Sequence, residues 1–201
     1  MIHRIRATAV ATFAALAFCA AAPAFAQSPF SERPVRGFVG FGLTGGGDKL
    51  ATVQWSNGES TNIKAGGLID FRVGADVRPG DSPFALQGSI GWFFDRANAT
   101  NGSVKFERFP VELLGTWRAA DHLRFGAGLR RVGNGKLKGS GAAANLGTTT
   151  FTGKTGYVIE GEWLAGRIYG FALRYVSEEY TAPNGVKVDG SHVGLRMNVY
   201  F

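Results

Sequence analysis

The sequence predicts an all-β protein: a closed antiparallel up-and-down transmembrane β-barrel of about eight strands, preceded by a cleaved signal peptide. Three observations support this fold class. The chain opens on a short basic and then apolar stretch. Beyond it, no apolar run reaches the roughly 18 residues of a transmembrane helix, although 45% of the residues are hydrophobic. The apolar residues alternate with polar ones instead, as in strands with one face in lipid.

The N-terminal 26 residues have the three parts of a secretory signal peptide. Arg4 and Arg6 provide a basic start, residues 7–22 are nearly all apolar, and residues 24–26 (Ala-Phe-Ala) fit the small-x-small cleavage rule. The alternative is a buried helix or membrane anchor, but the apolar stretch is short for a span and is followed by Pro23. We therefore expect the mature chain to begin at Gln27.

Cysteine content and charge narrow the function classes. The single cysteine, Cys19, lies in the segment predicted to be removed, so neither disulfides nor thiolate metal sites are expected in the mature chain. Phe18 argues against lipid attachment at Cys19, because a small residue is expected before an acylated cysteine. The formal net charge is +7, but Lys and Arg are scattered singly, which argues against nucleic-acid binding.

Eight segments alternate with the period of a β-strand, and the clearest of them is 84–95. Phe93 is the one large residue on the polar face of that segment. The apolar faces of the eight segments consist of Val39, Phe41 and Leu43; Ile69, Phe71, Val73, Ala75 and Val77; Phe84, Leu86, Ile90, Trp92 and Phe94; Phe109, Val111, Leu113 and Trp117; Leu123, Phe125, Ala127 and Leu129; Tyr157, Ile159 and Trp163; Tyr169, Phe171, Leu173 and Tyr175; and Val193, Leu195, Met197, Val199 and Phe201.

The connections alternate in length. Residues 79–83, 119–121 and 165–166 form tight turns, and the links near 56–59, 97–103, 133–152 and 181–187 are longer and polar. Short turns are typical of the periplasmic side of a barrel and long loops of the outside. The link 133–152, rich in small residues, is expected to be a flexible cover rather than a defined pocket.

Aromatic residues separate this barrel from a soluble, lipocalin-like one, the main structural alternative. In a soluble barrel the polar face meets water, whereas here the apolar face carries large aromatics at its margins, as in the girdles of membrane proteins. These residues are Trp92, Trp117, Trp163, Tyr169, Tyr175 and Phe201.

The C-terminal segment carries the most specific resemblance. Val193, Leu195, Met197, Val199 and Phe201 alternate and end on an aromatic residue. With the signal peptide, this pattern resembles the small outer-membrane barrels of the OmpA and OmpX type, over about residues 36–201. The signal peptide predicts Sec-type export. The resemblance implies a Gram-negative outer membrane with lipid and lipopolysaccharide around the protein, and assembly by periplasmic chaperones and the barrel assembly machinery. It divides the chain into a signal peptide (1–26), a short periplasmic segment (27–35) and the barrel (36–201).

The polar face defines the candidate site, a charge network in the lumen. An eight-stranded barrel has an interior that side chains fill, so buried ions of both signs are expected to pair. The alternative is a proton, ion or water path, which would make the barrel a narrow pore. Gln87 and Lys154 are expected in the lumen with the network, which consists of Asp70, Arg72, Asp76, Arg108, Glu112, Arg124, Arg130, Glu160, Glu162, Arg174, His192 and Arg196.

The enzymatic alternative is a lipid A deacylase or acyltransferase. A nucleophilic site needs a Ser beside a His that an acid orients. The only neighbours of this kind are Ser191 and His192, which point to opposite faces of a regular strand. We therefore expect no catalytic residue, cofactor or metal site, and a structural or surface-interaction role.

Overall fold

The computed structural model describes residues 34–54, 60–99, 102–141 and 143–201. The predicted signal peptide, and all but the end of the segment 27–35, lie outside these residues. None of the helices in these ranges is long and apolar enough to cross a membrane. Apart from one 3₁₀ turn at Ala144–Leu146, the regular elements are the strands β1 (Val35–Gly46), β2 (Lys49–Gln54), β3 (Ser60–Lys64), β4 (Ile69–Val77), β5 (Phe84–Ala99), β6 (Gly102–Arg108), β7 (Pro110–Ala120), β8 (Leu123–Val132), β9 (Asn134–Gly141), β10 (Thr148–Gly153), β11 (Thr155–Ala165), β12 (Tyr169–Ser177), β13 (Glu179–Thr181), β14 (Lys187–Asp189) and β15 (His192–Tyr200).

Eight of these strands close into an antiparallel barrel, which confirms the predicted fold class. The order around the barrel is β1, β4, β5, β7, β8, β11, β12 and β15, and β15 pairs with β1 to complete the ring. Each of the eight segments predicted from alternation corresponds to one barrel strand, with Phe109 and Phe201 just outside the ends of β7 and β15. The closing pair is long and in regular register, from Phe38 opposite Tyr200 to Gly46 opposite His192.

Burial alternates along the barrel strands, with the apolar residues on the outside. In β15, Val193 and Leu195 are half or more exposed, whereas His192 and Arg196 on either side of them are buried. Phe93, which departs from the apolar face of β5, points inward and is 1% exposed. Large exposed side chains cover the whole outer wall, which is the opposite of a protein surrounded by water.

The two ends of the barrel differ, and we name them by their connections. At the short-turn end, Gly80 and Gly166 adopt positive φ values of 54° and 68°, which glycine tolerates without steric cost. At the long-loop end, the connections are mostly β-structure. The link 133–152 forms a hairpin of β9 and β10, so the prediction of a flexible cover was wrong: its polar residues alternate with Leu137 and Phe151, which are buried.

The long-loop end carries a second sheet that continues the barrel wall. The end of β5 pairs with β6, and β9, β10, β13 and β14 follow in that order. We call this the extension sheet. One of its faces covers a small hydrophobic core, to which the β2–β3 hairpin contributes Ile63; the other members are Ala97, Val104, Phe106, Val132, Leu137, Phe151 and Tyr180.

A closed barrel of this kind should resist unfolding by detergent at room temperature, because its backbone hydrogen bonds form an uninterrupted ring. We expect the folded protein, kept unboiled in SDS, to migrate at a different position from the boiled protein on a gel. The boiled sample of the same preparation is the control. Identical migration of the two samples would contradict a closed barrel.

Candidate functional site: the charged lumen

All twelve side chains of the predicted network lie inside the barrel, and each is at most 6% exposed. Alternation explains this placement, because each residue occupies a strand position opposite in phase to the apolar, outward-facing residues. Gln87 is also buried and donates a hydrogen bond of 2.9 Å to Asp76. The contacts divide the network into three layers along the barrel axis, two of which are joined by Arg130.

Glu112 on β7 is the centre of the middle layer. Its carboxylate accepts hydrogen bonds from Arg72, from Arg130 at 2.6 Å and from Arg174 at 2.8 Å. Arg72 donates a further bond of 3.2 Å to Asp70, two residues earlier on β4. Three guanidinium groups from three strands therefore converge on one buried carboxylate.

A second carboxylate continues the middle layer towards β15. Glu160 on β11 accepts a hydrogen bond of 2.7 Å from Arg196. Arg174 lies 4.0 Å from the same carboxylate oxygen and so joins Glu160 to the Glu112 group. The two halves of the barrel wall are thus connected across the lumen by ion pairs.

The layer at the short-turn end is built around Arg124. This residue bonds Glu162 through Nε at 2.8 Å and Asp76 at 2.6 Å, and it also donates to the Tyr200 hydroxyl. Tyr200 in turn donates to Glu162 at 2.7 Å, and Arg36 pairs with Asp76 at 3.0 Å. Below this layer, Tyr200 packs with Phe38 and Leu164 in a small apolar cluster that fills this end.

The layer at the long-loop end is built around Glu178. Arg130 donates to it at 2.7 Å, Tyr180 donates at 2.8 Å, and Arg108 lies 3.3 Å away. Arg130 therefore bridges Glu178 and Glu112, which joins this layer to the middle one. His192 is further off, with Nδ1 3.8 Å from the Glu178 carboxylate.

Arg108 also fixes a loop over this end of the lumen. Its guanidinium donates to the carbonyl oxygens of Ala65 and Gly66, in the latter case at 2.9 Å. Thr44 on β1 donates to the same Gly66 carbonyl at 3.0 Å. The segment that follows the β2–β3 hairpin is therefore held across the barrel by side chains of two strands.

Phe93 supports the same layer from inside the barrel. The guanidinium carbon of Arg130 lies 4.3 Å from its ring centroid and that of Arg108 lies 4.9 Å away. Its ring also meets the His192 ring edge to face at 5.7 Å. An aromatic face next to two guanidinium groups provides cation–π stabilisation where water is excluded.

Several members of the network were not identified from the sequence. Arg36, Glu178, Tyr180, Asn198 and Tyr200 all take part. Asn198 and Tyr200 continue the alternation of β15, on which His192 and Arg196 lie. Arg36 is on β1 and Tyr180 is on β13, and no member of the network was predicted on either strand. Glu178 follows Arg174 at the same phase, but it is three residues beyond Tyr175, the last aromatic of that segment.

Lys154 was predicted in the lumen, and this was wrong. Its side chain is exposed and lies 2.5 Å from Glu179 on the outside. Lys154 lies between the end of β10 and the start of β11, and the alternation of inward and outward side chains is interrupted at this point. The hydrogen bond from Lys154 holds the pKa of Glu179 below its usual range.

The geometry around Ser191 and His192 does not form a nucleophilic site. His192 is buried and its Nδ1 lies 2.8 Å from the carbonyl oxygen of Gly190. The Ser191 hydroxyl instead accepts a bond of 3.4 Å from the backbone N–H of Glu178. Within the described ranges, no group of three or more His, Cys, Asp or Glu residues is arranged to hold a metal ion.

The Glu112 group gives a stability prediction. Glu112→Gln removes the charge that three buried arginines share, and an uncompensated buried charge costs roughly 3–5 kcal/mol. We expect the variant, refolded in detergent micelles, to unfold at a clearly lower urea concentration, followed by tryptophan fluorescence.

Glu179→Gln is the matched control for this variant. It removes an exposed carboxylate that also pairs with a cation, and it should leave the urea midpoint unchanged. A Glu112→Gln midpoint equal to that of the wild type would mean that the network does not stabilise the barrel.

The chain resembles known proteins in its structure. No known protein family matches the sequence, and no curated protein matches it. The attachment invasion locus protein Ail of Yersinia pestis, solved in complex with the heparin analogue sucrose octasulfate, superposes with a TM-score of 0.53 and 14% identity, over 83% of this chain and 97% of Ail. A second Ail structure gives a TM-score of 0.51 and 13% identity, over the same shares of the two chains. At this identity the likeness concerns the fold, and the chain has the fold of a small, eight-stranded outer-membrane barrel.

Proposed function

We propose that this protein is an integral barrel of a Gram-negative outer membrane, with a structural or surface-interaction role and no catalytic activity. The observation that carries the proposal is the combination of an apolar outer wall with a lumen filled by paired charges. The wall suits a lipid environment, and the paired charges of the described residues fill the lumen. The proposal includes export through a signal peptide at residues 1–26, a periplasmic segment at 27–35 and a membrane domain at 36–201.

The aromatic residues at the margins of the wall support membrane insertion. Trp117, Trp163 and Tyr169 lie on the outer face at the short-turn end, and Trp92 and Tyr175 lie nearer the long-loop end. Tryptophan and tyrosine are enriched where a membrane protein meets the headgroups on each side. With short turns in the periplasm, the extension sheet lies outside the cell.

The filling of the lumen supports a closed barrel rather than a narrow pore. The short-turn end is occupied by Phe38, Leu164 and Tyr200. The middle is crossed by the ion pairs of Glu112, and the long-loop end is covered by residues held by Arg108. An ion would have to displace each of these contacts in turn, at a desolvation cost for every buried charge.

The extension sheet supports a surface-interaction role. It projects beyond the apolar wall and has its own hydrophobic core, so it presents a fixed surface rather than a set of loose loops. Ail, which shares this fold, was solved with a sulfated sugar analogue. Ail therefore shows that a barrel of similar fold can bind an anionic saccharide.

Conductance tests the proposal against the pore alternative. We expect the refolded protein, added to planar lipid bilayers, to give no stable single-channel openings, because ion pairs and the apolar cluster at the short-turn end fill the lumen. A porin reconstituted under the same conditions is the positive control. Openings of reproducible unit size would overturn the closed barrel.

We further propose that Val193, Leu195, Met197, Val199 and Phe201 form the signal read by the barrel assembly machinery. Phe201 also has a packing role, which a test must separate from recognition. Its backbone exchanges hydrogen bonds of 3.0 and 3.1 Å with Gly37 on β1. Its ring covers that glycine so closely that a Cβ there would lie 2.5 Å from the ring.

Phe201→Ala separates the two roles of the terminal residue. We expect this variant to accumulate less in the outer membrane of cells but to refold in detergent micelles like the wild type. Phe171→Ala is the control, since Phe171 is another exposed aromatic near the short-turn end. Normal assembly in cells, or an equal loss in cells and in micelles, would count against an assembly signal.

A further inference from the structure

The outward face of the extension sheet carries a row of positive charges. Arg96 on β5 lies directly opposite Lys105 on β6, and Lys105 lies directly opposite Lys138 on β9. Lys136, two residues along β9, lies opposite Glu107. We call Arg96, Lys105, Lys136 and Lys138 the cationic face.

The fold itself offsets little of this charge. Like charges directly opposite each other on neighbouring strands destabilise a sheet. Glu107 lies 3.0 Å from Lys105, and it also accepts a bond of 2.6 Å from Trp92. Among the described residues, no carboxylate lies within 4.0 Å of the charged groups of Arg96, Lys136 or Lys138, whose side chains are exposed.

The rest of this face is made of hydroxyl and amide groups. The Ser103 and Ser140 hydroxyls are hydrogen bonded at 2.9 Å beside the cations. No large apolar side chain is described on the outward face of β6, β9 or β10, which suits sugars and phosphates better than hydrocarbon. The polar residues that border the cations are Asn98, Ser103, Asn134, Ser140, Thr148, Thr150 and Thr152.

The cationic face begins where the lipid-facing wall ends. Arg96 follows Phe94 and Trp92 on the same side of β5, and two residues of a strand span about 7 Å. The Lys105 ammonium lies 5.6 Å from the Trp92 ring centroid. Since tryptophan marks the interface between lipid and headgroups, these cations face sideways at headgroup height.

We propose that the cationic face binds the phosphate groups of lipopolysaccharide in the surrounding outer leaflet. Neighbouring strands are about 4.8 Å apart, so adjacent cations of the row can contact oxygens of one phosphate or of two on the same lipid. The hydroxyl groups beside them face the sugars that carry those phosphates. The inference rests on the proposed outer-membrane location and names the lipid and the residues that bind it.

The test uses a triple variant, Arg96→Gln with Lys136→Gln and Lys138→Gln, in the full mature protein refolded in detergent micelles. Purified lipopolysaccharide is titrated in and binding is followed by tryptophan fluorescence. We expect affinity to fall about tenfold, because three charge-assisted contacts are lost. Wild-type binding should also weaken with added NaCl and with lipopolysaccharide whose phosphates have been removed enzymatically.

The matched control removes three other exposed lysines of the same end of the barrel. It combines Lys49→Gln, Lys154→Gln and Lys187→Gln, of which the last two lie beside Glu179 rather than in the row. This control should bind lipopolysaccharide like the wild type. An equal loss in both triple variants would overturn the site, because it would reflect overall charge alone.

Two further outcomes would overturn the proposal. One is unchanged affinity of the Arg96, Lys136 and Lys138 variant for lipopolysaccharide. The other is a loss of affinity only for a soluble sulfated oligosaccharide, which would make the face a site for an extracellular polymer. Heat-dependent gel migration and insertion into vesicles are measured in parallel. A wild-type protein that shows neither would contradict the proposed outer-membrane location, whereas the two outcomes above concern the cationic face alone.

Discussion

The pairing of β1 with β15 is the interaction on which the rest of the structure depends. Within a bilayer there is no water to satisfy a free backbone N–H or C=O, so a sheet must have no open edge. The first and last barrel strands meet over nine residue pairs, from Phe38 and Tyr200 to Gly46 and His192. This closure fixes the size of the barrel, and the size in turn determines what its interior can hold.

An interior this narrow has to be filled by side chains, and the chain fills it with ions. Apolar residues on both faces would give each strand a continuous hydrophobic run and remove the alternation that is typical of a transmembrane strand. Polar residues inside keep the alternation of the strands. The desolvation cost of these charges is offset because one ion pairs with more than one partner, as when Arg130 pairs with both Glu112 and Glu178. Removing one partner therefore disturbs more than one layer.

The alternation was sufficient to predict the eight barrel strands and the side on which residues such as Asp70 and Arg196 lie. It could not predict the extension sheet. In β9, Leu137 is the one apolar side chain in a stretch of asparagine, glycine, lysine and serine, and its burial depends on distant partners such as Phe106 and Phe151. Lys154 was misplaced for a related reason, since a change of phase between two strands has no signature in composition.

Strand β5 joins the two parts of the molecule without interruption. Its first half pairs with β4 and β7 in the barrel, and its last residues pair with β6 in the extension sheet. A one-residue shift in a strand exchanges its two faces. A single residue inserted into β5 near Phe93 would therefore turn Ala97 out of the small core and Arg96 into it. Insertions or deletions in β5 that keep both faces in place are consequently restricted to steps of two residues. The pairing of β5 in the barrel wall therefore limits the length changes that the extension sheet can accept.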